Sequence, residues 1–372
     1  MRKNITYLFG AGASANALPI VKYFNPRLEL FAKYLEGFPN NFKKIGEFIS
    51  EVRTILDESR HHSTIDTVAK KYFHSYDKNL KNLERLKKVL TVFFYYEQMR
   101  TNLFIKDQTR TDNYSKFAFL QTDYDYEIEE INSFVKNKKS NIDYRYDSFI
   151  ASLLSPLENN FILPENINIL TWNYDCQFEM ALKQFKGERM YNLQKDLGVY
   201  PFMNSIEESE HWKEINKQKF KILHLNGQAQ FYWKETDNGI SQYKSMFDLG
   251  DLHHNIESVI NFADGSGITF SWEKNSKNNL QSVGMSSIIE AAKKVITNTN
   301  ILVIIGYSFP FFNRIVDKEL FFNKHYDKIY IQDIYGNNIR DLFINVFHSG
   351  NDPQNIIVYN DINQFLIPPE LD

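Results

Sequence analysis

The chain has 372 residues, of which 43% are hydrophobic, 15% aromatic and 24% charged. This composition is typical of a globular protein, and the length allows two domains or one large domain with an insertion. The net charge of −3 argues against a surface built to bind polyanions, so we predict no direct contact with nucleic acid. The single cysteine, Cys176, excludes a disulfide within the chain and a zinc module built from cysteines.

The apolar segments of the chain are short. The first one, Ile5 to Phe9, leads straight into a glycine turn, which is not the pattern of a signal peptide. No run reaches the roughly 18 apolar residues that a membrane-spanning helix needs. We therefore expect a cytoplasmic protein without a membrane segment.

A dinucleotide-binding turn is predicted directly after this first strand. The pattern Gly10-x-Gly12-x-x-Ala15 follows the apolar run and precedes a segment compatible with a helix. In such a turn the first glycine permits a tight bend, and the second lets backbone N–H groups approach a pyrophosphate at the helix N-terminus. A tight turn without a ligand fits the same short pattern, so the rest of the chain has to decide between them.

Residues 25–155 are predicted to form a large, mostly helical insertion. Apolar side chains recur there three and four positions apart, as in amphipathic helices, and Lys, Glu and Asn occupy the outer faces. The aromatic stripes of these helices fit a core or an assembly surface better than a cofactor site. We therefore divide the chain into a Rossmann-like domain of residues 1–24 and 156–372 and a regulatory or assembly insertion of residues 25–155.

Short β-branched runs alternate with helices in the second half of the chain. This alternation predicts an α/β fold, namely a Rossmann-like parallel sheet with crossover helices. Residues 228–282 are expected to be irregular, because glycines punctuate them. The predicted strands are Ile5 to Phe9, Ile167 to Leu170, Phe220 to Leu225, Ile301 to Ile305, Lys328 to Gln332 and Asn355 to Tyr359.

Polar or glycine-containing motifs follow several of these strands. In open α/β sheets, ligands bind outside the carboxyl ends of the strands, so the repeated placement predicts one shared site. The motifs are Gly10-Ala11-Gly12-Ala13-Ser14, Thr171-Trp172-Asn173-Tyr174-Asp175, His224-Leu225-Asn226-Gly227 and Gly306-Tyr307-Ser308-Phe309-Pro310.

The order of these four motifs resembles the sirtuin family, of the silent-information-regulator-two type. The Thr-x-Asn-Tyr-Asp and Gly-Tyr-Ser-Phe-Pro forms are similar to those of the bacterial sirtuin-like NAD+ hydrolases of antiphage defence. The resemblance covers residues 1–20 and about 165–361. The chain lacks the four cysteines of the deacylase zinc module and the Asp-Phe-Arg that follows the deacylase glycine turn. These departures weaken an acyl-lysine function and leave NAD binding intact.

The resemblance implies an NAD+ glycohydrolase that releases nicotinamide and ADP-ribose and depletes cellular NAD during phage infection. It implies NAD+ as substrate and a HerA-like DNA-translocase ATPase or a short Argonaute as a possible partner. The single cysteine leaves no zinc module, so we expect no metal, and the aromatic-rich insertion favours a homo-oligomer. Two alternatives stay open. One is a sirtuin-type protein deacylase or ADP-ribosyltransferase, and the other is a sensor that binds NAD or ADP-ribose and assembles a partner without turnover.

Asn173 and His224 are the expected catalytic residues, mainly because of their place in the motif order. An amide side chain is no base at neutral pH, but it can position a water or a ribose hydroxyl. An imidazole, whose ordinary pKa is near 6.5, can act as a general base on either group. In the alternative reading, Asn173 caps the following helix and His224 is a hydrogen-bonded residue at a strand end.

The remaining motif residues are expected to bind NAD+. Asp175 would contact the nicotinamide ribose or amide, or else cap a helix, and Asp333 would accept from the adenine ribose hydroxyls. Ser14, Gly306 and Ser308 would line the phosphates and the adenosine ribose. The full set of binding residues is Gly10, Ala11, Gly12, Ser14, Thr171, Asp175, Gly306, Ser308 and Asp333.

Overall fold

The secondary structure of the chain comes from a computed structural model. It describes residues 2–38, 43–74, 80–107, 142–157, 160–187, 193, 197–200, 220–235, 241–246, 252–275, 280–347 and 352–371. The helices are α1 (Phe24–Glu36), α2 (Lys43–Arg60), α3 (Ile65–His74), α4 (Leu80–Asp107), α5 (Tyr144–Leu153), α6 (Gln177–Lys186), α7 (Leu252–Phe262), α8 (Leu280–Thr297), α9 (Arg314–Phe321) and α10 (Gly336–Phe347). The strands are β1 (Ile5–Phe9), β2 (Ser155–Leu157), β3 (Asn160–Ile162), β4 (Ile167–Thr171), β5 (Val199–Tyr200), β6 (Lys221–His224), β7 (Gly227–Glu235), β8 (Ser241–Ser245), β9 (Ser266–Ile268), β10 (Ile301–Ile305), β11 (Lys328–Gln332) and β12 (Ile356–Tyr359).

The centre of the structure is a seven-stranded parallel sheet in the order β12-β11-β10-β1-β4-β6-β5. This confirms the predicted Rossmann-like α/β fold. The six predicted strands are all present, with each end within one residue of its predicted position. The short edge strand β5 is not predicted, because two residues carry no periodic pattern.

The strands of this sheet end at a common level. The register pairs Phe9 with Ile305 on one side and with Thr171 on the other, and it pairs Thr171 with His224. The chain builds the half with β4, β5 and β6 first and then crosses to β10, so β1 lies at the point where the strand order reverses. Ligands of doubly wound sheets bind at this point.

Helices cover both faces of the sheet, which explains why its strands are apolar on both sides. One face packs against α8, α9 and α10. The other packs against α5 and α6, where Phe9 contacts the rings of Tyr146, Phe149 and Phe178. Helix α5 lies within the predicted insertion, yet its buried side chains belong to the core of the sheet.

A second core lies beside the sheet. Helices α1–α4 contribute most of it, as the helical periodicity of residues 25–155 predicts, and residues 108–141 of that range lie outside the described residues. The expectation of irregular structure for residues 228–282 is wrong where the chain is described. Strands β7, β8 and β9 form an antiparallel sheet there, and β7, β9 and α7 complete this second core. Among the described residues, no helix combines the length and the apolar character needed to cross a bilayer.

Three glycines let the turns after β1 and β10 approach each other closely. A Cβ on Gly10 would lie 2.6 Å from the carbonyl oxygen of Gly306, and one on Gly12 would lie 2.9 Å from the Cα of Gly306. The N–H of Gly12 donates to that same carbonyl oxygen (3.0 Å). Gly306 also has a positive φ of 59°, a conformation that strains other residues. Close approach, rather than the bend itself, therefore requires glycine at positions 10 and 12.

Substituting Gly306 by alanine should destabilise the whole fold. The new Cβ would lie 2.4 Å from the backbone nitrogen of Ala13, in a conformation that alanine disfavours. We expect Gly306→Ala to lower the free energy of unfolding by about 3 kcal/mol or more, measured by urea denaturation. Gly46 in α2 has open space around its Cβ position, so Gly46→Ala is the control and should raise stability by about 0.5–1 kcal/mol. A loss below about 1 kcal/mol in Gly306→Ala would contradict this account of the contact.

Candidate functional site

Asn173 connects the loop after β4 to the glycine turn after β1. Its side-chain amide donates to the carbonyl oxygen of Gly10 (3.0 Å) and to the hydroxyl of Ser14 (3.2 Å). Its backbone N–H donates to the hydroxyl of Thr171 (3.1 Å). Because the side chain points back to the turn, Asn173 does not serve as the cap of α6.

Ser14 and Asp175 continue this network on the side of α5 and α6. The Ser14 hydroxyl donates to one Asp175 carboxylate oxygen (2.7 Å) and lies 2.9 Å from the Tyr146 hydroxyl. The other carboxylate oxygen accepts from the backbone N–H of Gln177 in the first turn of α6 (3.2 Å). Asp175 thus contacts the helix end, as the capping alternative proposes, and also Ser14 of the glycine turn. Burial raises the pKa of Asp175 to about 6.

His224 lies at the end of β6, next to Asn173, and is almost completely buried. Its Nδ1 is 3.5 Å from the backbone carbonyl oxygen of Asn173. Its Nε2 is 3.4 Å from the carboxylate of Glu179 and 3.1 Å from the side-chain nitrogen of Gln228. Protein groups therefore face both ring nitrogens.

Glu179 and Gln228 are site residues that the sequence analysis misses. Gln228 donates to the Glu179 carboxylate (2.6 Å), and neither side chain has exposed surface. Glu179 lies in the first turn of a helix, where a glutamate is common on a solvated face. Gln228 falls in a stretch expected to be irregular. A signal for it exists only in the alternation of Gln228, Ala229 and Gln230, which is typical of a strand.

Arg145, on α5, holds the glycine turn by hydrogen bonds to its backbone. Its guanidinium donates to the carbonyl oxygens of Ala13 (2.8 Å) and Gly12 (3.3 Å) and pairs with the buried carboxylate of Asp143. Because Arg145 is buried and neutralised by Asp143, it orders the turn without supplying a net charge to a ligand.

The other predicted binding residues lie along the same edge of the sheet but outside this network. Ala11 and Ser308 are exposed, and Gly306 faces the turn of β1. Asp333 follows β11, two strands away from β1, and its carboxylate accepts from the N–H of Tyr335 (2.8 Å). The structure thus brings Ser14, Asn173, Asp175 and His224 together and leaves Ser308 and Asp333 apart from them.

The network is closed to solvent. Asn173 is 7% exposed, Asp175 5%, Ser14 2% and His224 1%. A cavity of about 770 Å³ opens at the opposite edge of the sheet, beside the amino ends of β1, β4 and β6. It is therefore separate from the predicted site. Within the described ranges, no three His, Cys, Asp or Glu side chains converge closely enough to hold a metal ion.

Comparison of the chain with models of known protein families and with curated proteins finds no match. The assignment of a function therefore depends on the chemistry of the site itself and on the resemblance of its motifs.

The buried Asp175 should make stability depend on pH in a direction that can be tested. The folded protein holds the Asp175 proton more tightly than the unfolded chain does, because burial raises the pKa to about 6 from an ordinary value near 3.9. This contribution to stability is complete below about pH 4 and is lost as the pH rises through about 6. Relative to wild type, Asp175→Asn should therefore gain on the order of 2 kcal/mol between pH 4 and pH 7, measured by urea denaturation.

The exposed Asp57 in α2 supplies the control, because Asp57→Asn removes an acid that solvent already surrounds. Its stability difference from wild type should change little over the same range. If the difference in the free energy of unfolding between Asp175→Asn and wild type stays constant from pH 4 to pH 7, burial does not raise the pKa of Asp175 as described.

Proposed function

We propose that the chain is an NAD+ glycohydrolase, which cleaves NAD+ to nicotinamide and ADP-ribose. One observation carries this proposal. Asn173 and His224, from the ends of two neighbouring strands, meet beside the turn of Gly10 at the point where the strand order reverses. This is the edge and the position at which doubly wound sheets bind dinucleotides.

The chemistry of NAD+ cleavage suits these two side chains. Nicotinamide departs as a neutral leaving group and leaves an oxocarbenium-like ribose, which a water then attacks, on the same logic as glycoside hydrolysis. The Asn173 amide can orient the water or a ribose hydroxyl, because it both donates and accepts. The His224 imidazole can accept the proton that this group loses.

At Gly10, Gly12 and Ala13, the glycine turn does not offer the free backbone N–H groups that a dinucleotide-binding turn is expected to present to the phosphates. The N–H groups of Gly10, Gly12 and Ala13 all donate to backbone carbonyls of the protein. We propose that the phosphates lie along the exposed rim of the turn at Ala11, and that Ser308 and Asp333 hold the adenosine end. Both residues face solvent at this edge at least in part, and they lie on the β10 and β11 side of the turn.

The closed network suits a regulated enzyme. Substrate must displace protein partners of Asn173 and His224, so the two residues are inactive until the site opens. Unregulated hydrolysis of NAD+ would kill the cell that makes the protein. On the strength of the resemblance, we propose that this hydrolase acts in bacterial antiphage defence. We propose further that oligomerisation, or a HerA-like ATPase or short Argonaute partner, opens the site through the helical insertion.

A non-catalytic NAD or ADP-ribose sensor is the second candidate. The burial of Asn173 and His224 favours it, since both side chains make the protein contacts that a structural role would require. The two candidates differ in one property, because a sensor binds the nucleotide without releasing nicotinamide.

Nicotinamide release from NAD+ by the purified 372-residue chain tests the proposal. The reaction is followed by chromatography, alone and with candidate ATPase, Argonaute or phage components. We expect release that falls at least about 100-fold in Asn173→Ala and in His224→Ala, because each variant loses a group that acts on the reacting ribose or water.

Exposed residues of the same types provide matched controls. Asn338→Ala and His325→Ala should keep wild-type activity, and thermal unfolding should show that all four variants fold. Binding of NAD+ without release under every condition would reject the hydrolase and favour the sensor. Wild-type activity in a folded His224→Ala variant would reject the assigned base.

A further inference from the structure

We propose that Glu179 is a positioning residue that orients His224 and stabilises its protonated form during the reaction. This inference rests on the proposed function, since it assumes that His224 accepts a proton. Glu179 itself lies behind the imidazole, on the first turn of α6, and contacts neither the glycine turn nor Asn173 in this structure.

Among the described residues, the carboxylate of Glu179 has no counter-ion except His224. The side chain has no exposed surface, and His224 is the only basic group within ion-pair distance of it in the part of the chain that the structure describes. One carboxylate oxygen accepts from Gln228, and the second has no hydrogen-bond partner. Burying a carboxylate in this way is costly unless a cation forms beside it, so the arrangement fits a His224 that becomes charged.

An oxygen acceptor lies beside each ring nitrogen of His224. Nδ1 is 3.5 Å from the Asn173 carbonyl oxygen, and Nε2 is 3.4 Å from the Glu179 carboxylate and 3.1 Å from the Gln228 amide nitrogen. Only the imidazolium donates from both nitrogens. The Gln228 amide also lies 3.4 Å from the Cys176 sulfur. It can donate one hydrogen to Glu179 and the other to Cys176, and it then donates none to Nε2 of His224.

The proposal assigns a direction to the proton transfer. In it the neutral ring keeps its proton on Nε2, toward Glu179, so the lone pair is on Nδ1, on the side of Asn173. The proton of the water or ribose hydroxyl moves to Nδ1, and the oxygen keeps the electron pair with which it bonds. Glu179 takes no part in this transfer itself, so its effect on the reaction is entirely through His224.

An NMR titration of His224 tests the proposal without any need for turnover. Labelled histidine signals are recorded against pH in wild type and in Glu179→Gln, and His224 is assigned from the signal missing in His224→Gln. Removing the carboxylate should move the titration midpoint of His224 to lower pH by about one unit or more. Glu290→Gln, on the exposed face of α8, is the matched control and should leave the midpoint unchanged.

Kinetics supply the second measurement. Glu179→Gln should lower kcat about tenfold or more with little change in KM. The acidic limb of its pH–rate profile should move to lower pH, as the NMR midpoint does. Glu179→Asp keeps the charge on a shorter side chain, so its midpoint should lie between those of wild type and Glu179→Gln. Should Glu179→Gln fail to fold, Glu179→Asp carries the test, and a wild-type midpoint in it would overturn the proposal.

The outcomes separate this inference from the proposed function. A His224 midpoint that is the same in folded Glu179→Gln and wild type overturns the role of Glu179, whatever the activity. A shifted midpoint in a protein that never releases nicotinamide supports the coupling of Glu179 to His224 and rejects the hydrolase. A shifted midpoint with an unchanged kcat and pH profile overturns the claim that the coupling serves the reaction.

Discussion

The contact between Gly306 and the turn of Gly10 and Gly12 is the constraint on which the site depends. Two backbone turns from the centre of the sheet touch without side chains between them, and hydrogen bonds join them. This places the carbonyl oxygen of Gly10 where the Asn173 amide can reach it. A side chain at any of these glycines would separate the turns, and Asn173 would lose the acceptor that fixes its position.

The central sheet could be predicted from the sequence because each of its strands is marked by the residues of the strand itself and by those that directly follow it. Runs such as Ile301 to Ile305 are apolar on both faces, which is the pattern of a buried parallel strand, and the polar motif that follows each run marks its carboxyl end. The same reasoning placed Asn173 and His224 at one edge. Neighbouring strands then brought them together, because parallel strands share their ends.

The antiparallel sheet and the residues behind His224 could not be predicted in this way. Strand β7 buries Gln228 and Gln230 against the site, so its inward face is polar and reads as a loop when burial is judged by hydrophobicity. Glu179 has the sequence context of a solvated helix start. Its contact with His224 depends on how α6 packs over β6, and nothing local in the sequence encodes that packing.

The second core joins the helical insertion to the antiparallel sheet, so neither is a separate folding unit. Its residues come from two separate stretches, the helices before the sheet resumes and the strands that follow His224. Excising the helices alone would leave β7 and β9 with an uncovered apolar surface. The helical insertion is therefore not an independent domain that could be removed or transferred by one cut at each end, because its core includes residues from β7 and β9. A change in the packing of either stretch therefore acts on the other through the shared core, and β7 carries it to the chain next to His224.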